Sequence, residues 1–246
     1  MEWKEEHLRT AALLGTAALS RLQNAHVAVF GVGGVGGYLA EALARAGVGA
    51  IDLFDRDVVS LSNINRQIVA LHSTVGRPKV EVMRERILDI NPDCRVTVHN
   101  VFYLPENADE FPLEIYDYVA DAVDTVSAKL ELALRATRAG VPILSAMGAG
   151  NKLDPTRFTV TDIAKTEGCP LSKVMRRELK ARGIRHLPVV FSPEPPAPLP
   201  PDAPPADPSL RRPPSSISFV PSVMGLVMAG EILRQLALPK DPPAKE

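Results

Sequence analysis

His26-Val27-Ala28-Val29-Phe30-Gly31-Val32-Gly33-Gly34-Val35-Gly36 decides the fold. The first five residues are a short apolar run that ends at glycine, the pattern of a buried strand. Gly31 permits a tight turn, Gly33 lets backbone approach a phosphate, and Gly36 lets the following helix pack closely on the strand. From Val35 to Ala46, Leu39, Ala42, Leu43 and Ala46 recur at helical spacing, and Gly47 ends the helix. Unpaired N–H groups and the dipole at that helix start favour an anion. Ala50-Ile51-Asp52-Leu53-Phe54 follows as a second strand, and Asp55 at its end can accept hydrogen bonds from ribose hydroxyls. A glycine turn chosen only for packing is the competing reading. Strand, turn, helix, strand and acid in this order favour a nucleotide.

A second cluster narrows the nucleotide. Asn63-Ile64-Asn65-Arg66-Gln67 and then Arg77-Pro78-Lys79 place two arginines, a lysine and amides just downstream of Asp55. Arginine offers a planar fork for phosphate oxygens and lysine a compact charge. Lys79 opens a helix, where a cation opposes the dipole, so it has a use other than helix stability. A nicotinamide dehydrogenase has no need of this cluster, whereas an enzyme that consumes ATP does. Both Arg66 and Lys79 are expected on a solvated, ligand-facing surface; a merely solvated polar loop is the alternative. Asp124 lies just past a strand's carboxyl end, where ligands bind in open α/β sheets, and could hold a magnesium ion. It could also cap the next helix.

The 246 residues suffice for one large α/β domain, and 46% hydrophobic content supports a substantial core. A net charge of −1 gives no global attraction for nucleic acid, so any RNA site must be a local patch. Two cysteines, Cys94 and Cys169, provide neither a disulfide framework nor a zinc knuckle. Cys94 reads as core, and Cys169, with no histidine nearby in sequence, as structural. A reducing, cytoplasmic setting is expected. The acids at the N-terminus do not resemble a signal peptide. The apolar stretch from Ile217 to Ala229 is too short to span a bilayer, so no membrane partner is expected.

Strands and helices alternate along the chain. Helices are expected over Pro78–Ile90, Thr125–Arg138 and Phe219–Leu236, and strands over Arg95–His99, Tyr116–Asp121, Val141–Ser145 and Phe158–Ile163, the last at the sheet's far end. The order implies an α/β fold with a mostly parallel sheet, flanking helices and right-handed crossovers. The domain organisation expected is a single ATP-binding unit, 1–246, with a mobile insertion at 193–214. Eleven of those 22 residues are proline, which excludes helix and central strand. Its paucity of binding groups favours a spacer over an active-site cover. From Leu171 to His186 a helix is expected with Leu171, Val174, Met175 and Leu179 packed. Lys173, Arg176, Arg177, Lys180, Arg182 and Arg185 would then point outward. That face is either solvated or an RNA-backbone contact.

Gly31-x-Gly33-Gly34-x-Gly36, Asp55-x-Asp57, Ser62-Asn63-x-Asn65-Arg66-Gln67, Gly76-x-Pro78-Lys79 and Asp121-x-x-Asp124 resemble the ubiquitin-activating-enzyme-like adenylating superfamily. The resemblance implies a Rossmann-like sheet of adenylating-enzyme type that binds ATP and Mg2+. It implies that Gly34 and Asp55 contact adenosine and ribose, that Asn63, Arg66 and Lys79 hold the triphosphate, and that Asp124 binds magnesium. Arg9 looks like the arginine that one subunit inserts into its neighbour's ATP site, implying a homodimer and making Arg9, Arg66, Lys79 and Asp124 the catalytic set.

Gly148-Ala149-Gly150-Asn151-Lys152-Leu153-Asp154-Pro155-Thr156, Thr161 to Thr166, Cys169-Pro170-Leu171, Val174 to Arg177 and Ser216 to Ser222 are similar to the threonylcarbamoyladenosine dehydratase branch. That branch converts a threonylcarbamoyl group on a tRNA adenosine into a cyclic form, through an acyl-adenylate of the threonyl carboxylate. The tRNA would meet Lys173, Arg176, Arg177 and Lys180. The alternative is an activator of a ubiquitin-like sulfur-carrier protein. Such activators usually carry paired CxxC motifs, and none stands here. Whether a cysteine desulfurase or sulfurtransferase takes part is left open.

Overall fold

The strand that precedes Gly31 is third of seven in the sheet, flanked on both sides. A computed structural model describes residues 4–204 and 214–238. Two short helices, α1 (Leu8–Leu14) and α2 (Thr16–Asn24), lead into β1 (His26–Phe30). Then come α3 (Gly36–Arg45), β2 (Ala50–Phe54), α4 (Lys79–Ile90), β3 (Arg95–His99), β4 (Tyr118–Asp121), α5 (Val126–Ala139) and β5 (Ile143–Ala146). The chain finishes with β6 (Thr159–Asp162), α6 (Pro170–Ala181), β7 (Pro188–Phe191) and α7 (Phe219–Ala237). The α/β class, the mostly parallel sheet and its flanking helices are as the sequence implies. The sequence reading misses α1, α2 and β7.

The strand order is β3-β2-β1-β4-β5-β7-β6, parallel throughout except for β6, which runs antiparallel to β7 at the edge. From β1 the chain builds outward to β2 and β3, then returns to place β4 on the other side of β1. The order therefore reverses between β1 and β4, where a crevice opens at the strands' carboxyl ends. Phe30 pairs with Phe54 of β2 on one side and Asp121 of β4 on the other. The last residues of these strands thus face the same crevice.

Strands β1, β2, β4 and β5 are buried almost throughout, which matches their continuous apolar runs. Helix α7 is long and apolar enough to cross a membrane by composition alone. Its Val220, Met224, Met228 and Ile232 recur every four residues, and all are buried. It lies along α3 and α2, and each such side chain contributes on the order of 1.5–3 kcal/mol by leaving water.

Two buried polar clusters brace the sheet. Lys129 of α5 and Asp121 of β4 are both fully buried; Lys129 Nζ donates to the two carboxylate oxygens at 2.9 and 3.0 Å. Ser145 Oγ of β5 donates to the same carboxylate at 2.5 Å. Asp52 of β2 accepts from Tyr116 Oη at 2.9 Å and lies 2.8 and 3.1 Å from the Nε2 atoms of His26 and His99. Burial alone would raise the Asp52 pKa, but the bonds to His99, His26 and Tyr116 outweigh it and hold the carboxyl down at about 2.

Candidate active site

The turn after β1 shows why it is glycine-rich. Gly31 has φ +90°, and a Cβ there would lie 2.7 Å from the Ala122 carbonyl oxygen; one on Gly36 would lie 1.7 Å from the Gly31 oxygen. Side chains at either position would force β1, α3 and the β4 end apart. The turn opens onto a cavity of about 880 Å³ lined by Gly31, Gly33, Gly34, Asp55, Asp57, Asn63, Arg66, Gln67, Lys79 and Asp124. The structure thus brings together most residues of the two sequence clusters. Gly36, by contrast, is a packing residue.

Asp55 is locked to the turn. Val32 N–H donates to its Oδ2 at 2.7 Å and Asp57 N–H to its Oδ1 at 2.8 Å. Its pKa is raised because burial outweighs the nearby Lys79 charge and these hydrogen bonds. An ionised Asp55 keeps further lone pairs for a ligand's hydroxyls. A small antiparallel bridge, Val58 against Pro78, fastens the segment after Asp55 to the start of α4. It brings Lys79 Nζ to 2.6 Å from Asp57 Oδ2. Lys79 is therefore buried and ion-paired, not solvated as its sequence context suggested, because the bridge folds its stem under the loop.

The rest of the second cluster divides. Arg66 lines the cavity, held by donation from Nη1 to the Ser62 carbonyl and Asn65 Oδ1, each at 2.9 Å. Asn63 lines it too, and its Oδ1 accepts from Ser60 N–H at 3.1 Å. Gln67 is buried, and its Oε1 has no hydrogen-bond partner among the described residues, which leaves an open acceptor on the wall. Asn65 is off the wall; its Nδ2 donates to the Ser216 carbonyl at 3.1 Å. Arg77, counted among the phosphate-neutralising cations on sequence, instead pairs with Glu85 at 2.5 Å. Asp124 does not cap α5. The cap position is Thr125, without a side-chain capping bond, and the Asp124 carboxylate is exposed to the cavity, where among the described residues it accepts a single 3.4 Å bond from Thr125 Oγ1. Arg9 is exposed on α1 and is not part of the cavity wall.

Some of the wall escaped the sequence reading. Val101, Phe102 and Tyr103 follow β3 and line the end of the cavity near Phe54 and Asp55, with the Arg56 guanidinium 4.9 Å from the Phe102 ring centroid. At the other end, Met147 to Lys152 after β5 and Cys169 to Leu171 at the start of α6 extend the same cavity. Cys169 is thus not a remote structural residue. Burial would raise its pKa, but the polar groups around the sulfur, namely the Ser172 side chain and the backbone of Ser172, Gly148 and Leu171, bring it below the usual thiol value.

The proline-rich stretch also differs from expectation where it is described. Glu194 accepts from the N–H groups of Leu153 and Asp154 at 2.8 and 3.2 Å, and Lys152 Nζ donates to the Ser192 and Glu194 carbonyls. Asn151 bonds to Ala197 and to Ser215 on either side of the insertion. Pro196 and Pro214 line the cavity, so both ends of the insertion border the site rather than acting as a remote spacer. Residues 205–213, the middle of the insertion, lie outside the described residues.

Helix α6 ends at Ala181, short of the expected His186, because Gly183 adopts φ +81°. Arg176 is not an outward cation: its Nη1 donates to the Thr166 carbonyl at 2.5 Å and to Thr166 Oγ1 at 2.7 Å. Arg177 and Arg182 share Glu178. Lys173, Lys180 and Arg185 are exposed without a hydrogen-bond or ion-pair partner among the described residues.

A glycine turn at a helix start, an acid at the end of β2, a buried lysine, an arginine and an exposed aspartate around one crevice suit a nucleoside polyphosphate. The chain belongs to the ThiF family, whose profile matches residues 5–246. It is 45% identical over 236 residues to the tRNA threonylcarbamoyladenosine dehydratase of Bacillus subtilis, covering 93% of each protein. Among solved structures it is similar to Escherichia coli tRNA N6-threonylcarbamoyladenosine dehydratase in complex with ATP, with TM-score 0.85, 39% identity and coverage of 95% of this chain and 94% of that one. The AMP complex of the same E. coli protein gives TM-score 0.86 at the same identity and coverage.

Proposed function

We infer that this chain is an ATP-dependent tRNA threonylcarbamoyladenosine dehydratase. The observation that carries the reading is one continuous cavity, whose wall runs from residues after β2 and β3, past the glycine turn and Asp124, to residues after β5 and at the start of α6. Its length leaves room for a second substrate beside the nucleotide. Likeness over 93% of the B. subtilis relative supports the choice of tRNA as the second substrate.

The chemistry joins the two ends of the cavity. A carboxylate oxygen is a poor leaving group. ATP converts the threonyl carboxylate into an acyl-adenylate, releasing pyrophosphate. The neighbouring carbamoyl group attacks the activated carbonyl within the same molecule, a ring closes, and AMP leaves. Holding both groups in one chain makes the attack intramolecular, which is worth several kcal/mol. Lys79 and Arg66 stabilise charge on the phosphates, the turn's N–H groups cradle them, and Asp55 orients the ribose. Asp124, with a carboxylate free toward the cavity, would hold a magnesium ion whose other ligands are phosphate oxygens and water. Bound there, the ion would draw negative charge from the phosphates.

Two further elements belong to the proposal. Arg9 sits on α1 beside exposed Leu8 and Leu13, the latter 83% exposed, an arrangement suited to contact with a second copy of the chain. Lys173, Arg177 and Lys180 on α6, with Arg185 just beyond it, offer phosphate contacts to the tRNA; Arg176 serves to dock the helix. The two free, buried cysteines fit a cytoplasmic location, which fractionation of cells would check.

ATP–pyrophosphate exchange tests the reading. Exchange should be stimulated by tRNA bearing threonylcarbamoyladenosine. Stimulation by a ubiquitin-like carrier ending in two glycines, and not by that tRNA, would contradict it.

A further inference from the structure

Ring closure leaves a proton to be placed. The attacking carbamoyl group carries N–H, and the cyclic product has one N–H fewer. As the new bond to the activated carbonyl carbon forms, the carbonyl's bond to the AMP oxygen breaks and AMP departs with the electron pair. The nitrogen's proton must pass to a base at the acyl end of the cavity. That end is set by topology. Ribose and base lie toward β2 and β3, and Asp124 follows β4, so the acyl group lies toward β5 and α6.

The titratable groups described on that part of the wall are Lys152 and Cys169. Lys152 is 5% exposed, and its ammonium donates to the Ser192 and Glu194 carbonyls. Burial lowers its pKa, but its Nζ is turned to two backbone carbonyls that accept its protons and so favour the ammonium, a form with no lone pair for a further proton. Cys169 is 4% exposed and stands at the cap of α6, its sulfur toward the N–H groups of Gly148, Leu171 and Ser172. Ser172 is 1% exposed, and its Oγ has no hydrogen-bond partner among the described residues. This buried hydroxyl, the backbone N–H groups, the α6 dipole and the Lys152 charge all favour an anion at Sγ. Arg157, near Lys152, adds to that field, and the Glu194 carboxylate opposes it while held by two backbone N–H groups.

We propose that Cys169 is a catalytic residue of the ring-closing step, its thiolate accepting the carbamoyl proton as AMP leaves. The proposal rests on the dehydratase reading above. The sulfur forms no bond to carbon; it ends the step as a thiol and returns its proton to water.

Cys169→Ser and Cys169→Asp, assayed with ATP and threonylcarbamoyl-bearing tRNA, test it at two steps. Pyrophosphate exchange reports adenylation and an intact fold; nucleoside mass analysis reports ring closure. A general base is worth at least about 10²-fold, so Cys169→Ser should slow closure that much while exchange persists. Cys169→Asp should recover part of the closure rate and move the acid limb of its pH profile to lower pH, since a carboxylate stays ionised further down. The proposal is overturned if Cys169→Ser closes the ring within about threefold of the wild-type rate, or if exchange and closure fall together. It is likewise overturned if Cys169→Asp closes no faster than Cys169→Ser, or if a substrate–Cys169 thioester is trapped. Absence of tRNA-stimulated exchange in the wild-type protein would instead overturn the dehydratase reading itself.

Discussion

Lys79 Nζ lies 2.6 Å from Asp57 Oδ2, with the lysine side chain 6% exposed and the carboxylate 57% exposed. The ammonium is thus positioned from below, while its partner remains in water. Removing Lys79 leaves the Asp57 carboxylate in water and raises the pKa of partly buried Asp55 further, so the fold should survive. Lys79→Ala and Arg66→Ala should each lower turnover, a lost charge-assisted phosphate contact costing roughly 1.5–3 kcal/mol. Asp124→Asn should raise the magnesium concentration needed for half-maximal rate. Steady-state kinetics with a magnesium titration reads all three; a wild-type rate or an unchanged titration removes the residue concerned from the site.

A shared site makes a complementation prediction. If Arg9 serves the neighbouring site, Arg9→Ala and Lys79→Ala subunits that re-associate at random form hybrid dimers with one intact site in two. An equal mixture should then recover about one quarter of wild-type activity, as two-fold symmetry requires. Light scattering that finds a monomer at assay concentration would refute the dimer.

The tRNA surface is expected to include the unpaired cations and not every cation. Lys173→Gln, Lys180→Gln and Arg185→Gln together should weaken all substrate tRNAs alike and flatten the dependence of affinity on salt, with ATP affinity unchanged. Arg176→Gln should instead lower stability, because it releases α6 from Thr166. An unaltered salt slope in the triple variant would mark a merely solvated face.

Asp52 sets an acid limit on stability. Its folded pKa, about 2, lies below the ordinary carboxyl value near 3.8. The stabilisation is therefore complete above about pH 4 and lost as pH falls through about 2, and amounts to roughly 2–3 kcal/mol. Urea unfolding of the wild type and Asp52→Asn should show a gap that closes between those pH values. A gap independent of pH would contradict this account.

Local signals made the nucleotide half legible. The positive φ of Gly31, the Gly36 contact with the Gly31 oxygen and the Asp55 bond to Val32 all lie within one strand–turn–helix–strand unit, which the sequence displays whole, whereas the Gly31 contact with Ala122 depends on β4. The cluster around Arg66 and Lys79 was legible by residue type but not by direction. Whether a cation enters the cavity depends on partners such as Glu85 for Arg77 and Asp57 for Lys79, which only the folded loop selects. Strand β7 was hidden because it has four residues and begins at Pro188, whose missing N–H argues against a strand position between β5 and β6. The surroundings of Cys169 were not legible in the sequence, because the groups that lower its pKa are largely backbone of Gly148, Leu171 and Ser172, which no side-chain pattern announces.

The central claim is best tested by reconstitution. Purified protein, ATP, magnesium and tRNA bearing threonylcarbamoyladenosine are incubated, and the nucleosides and nucleotides are analysed by mass. The account predicts that each modified nucleoside loses one water, and that one AMP and one pyrophosphate appear for each. An unchanged nucleoside mass, or water loss accompanied by ADP and phosphate, would contradict it.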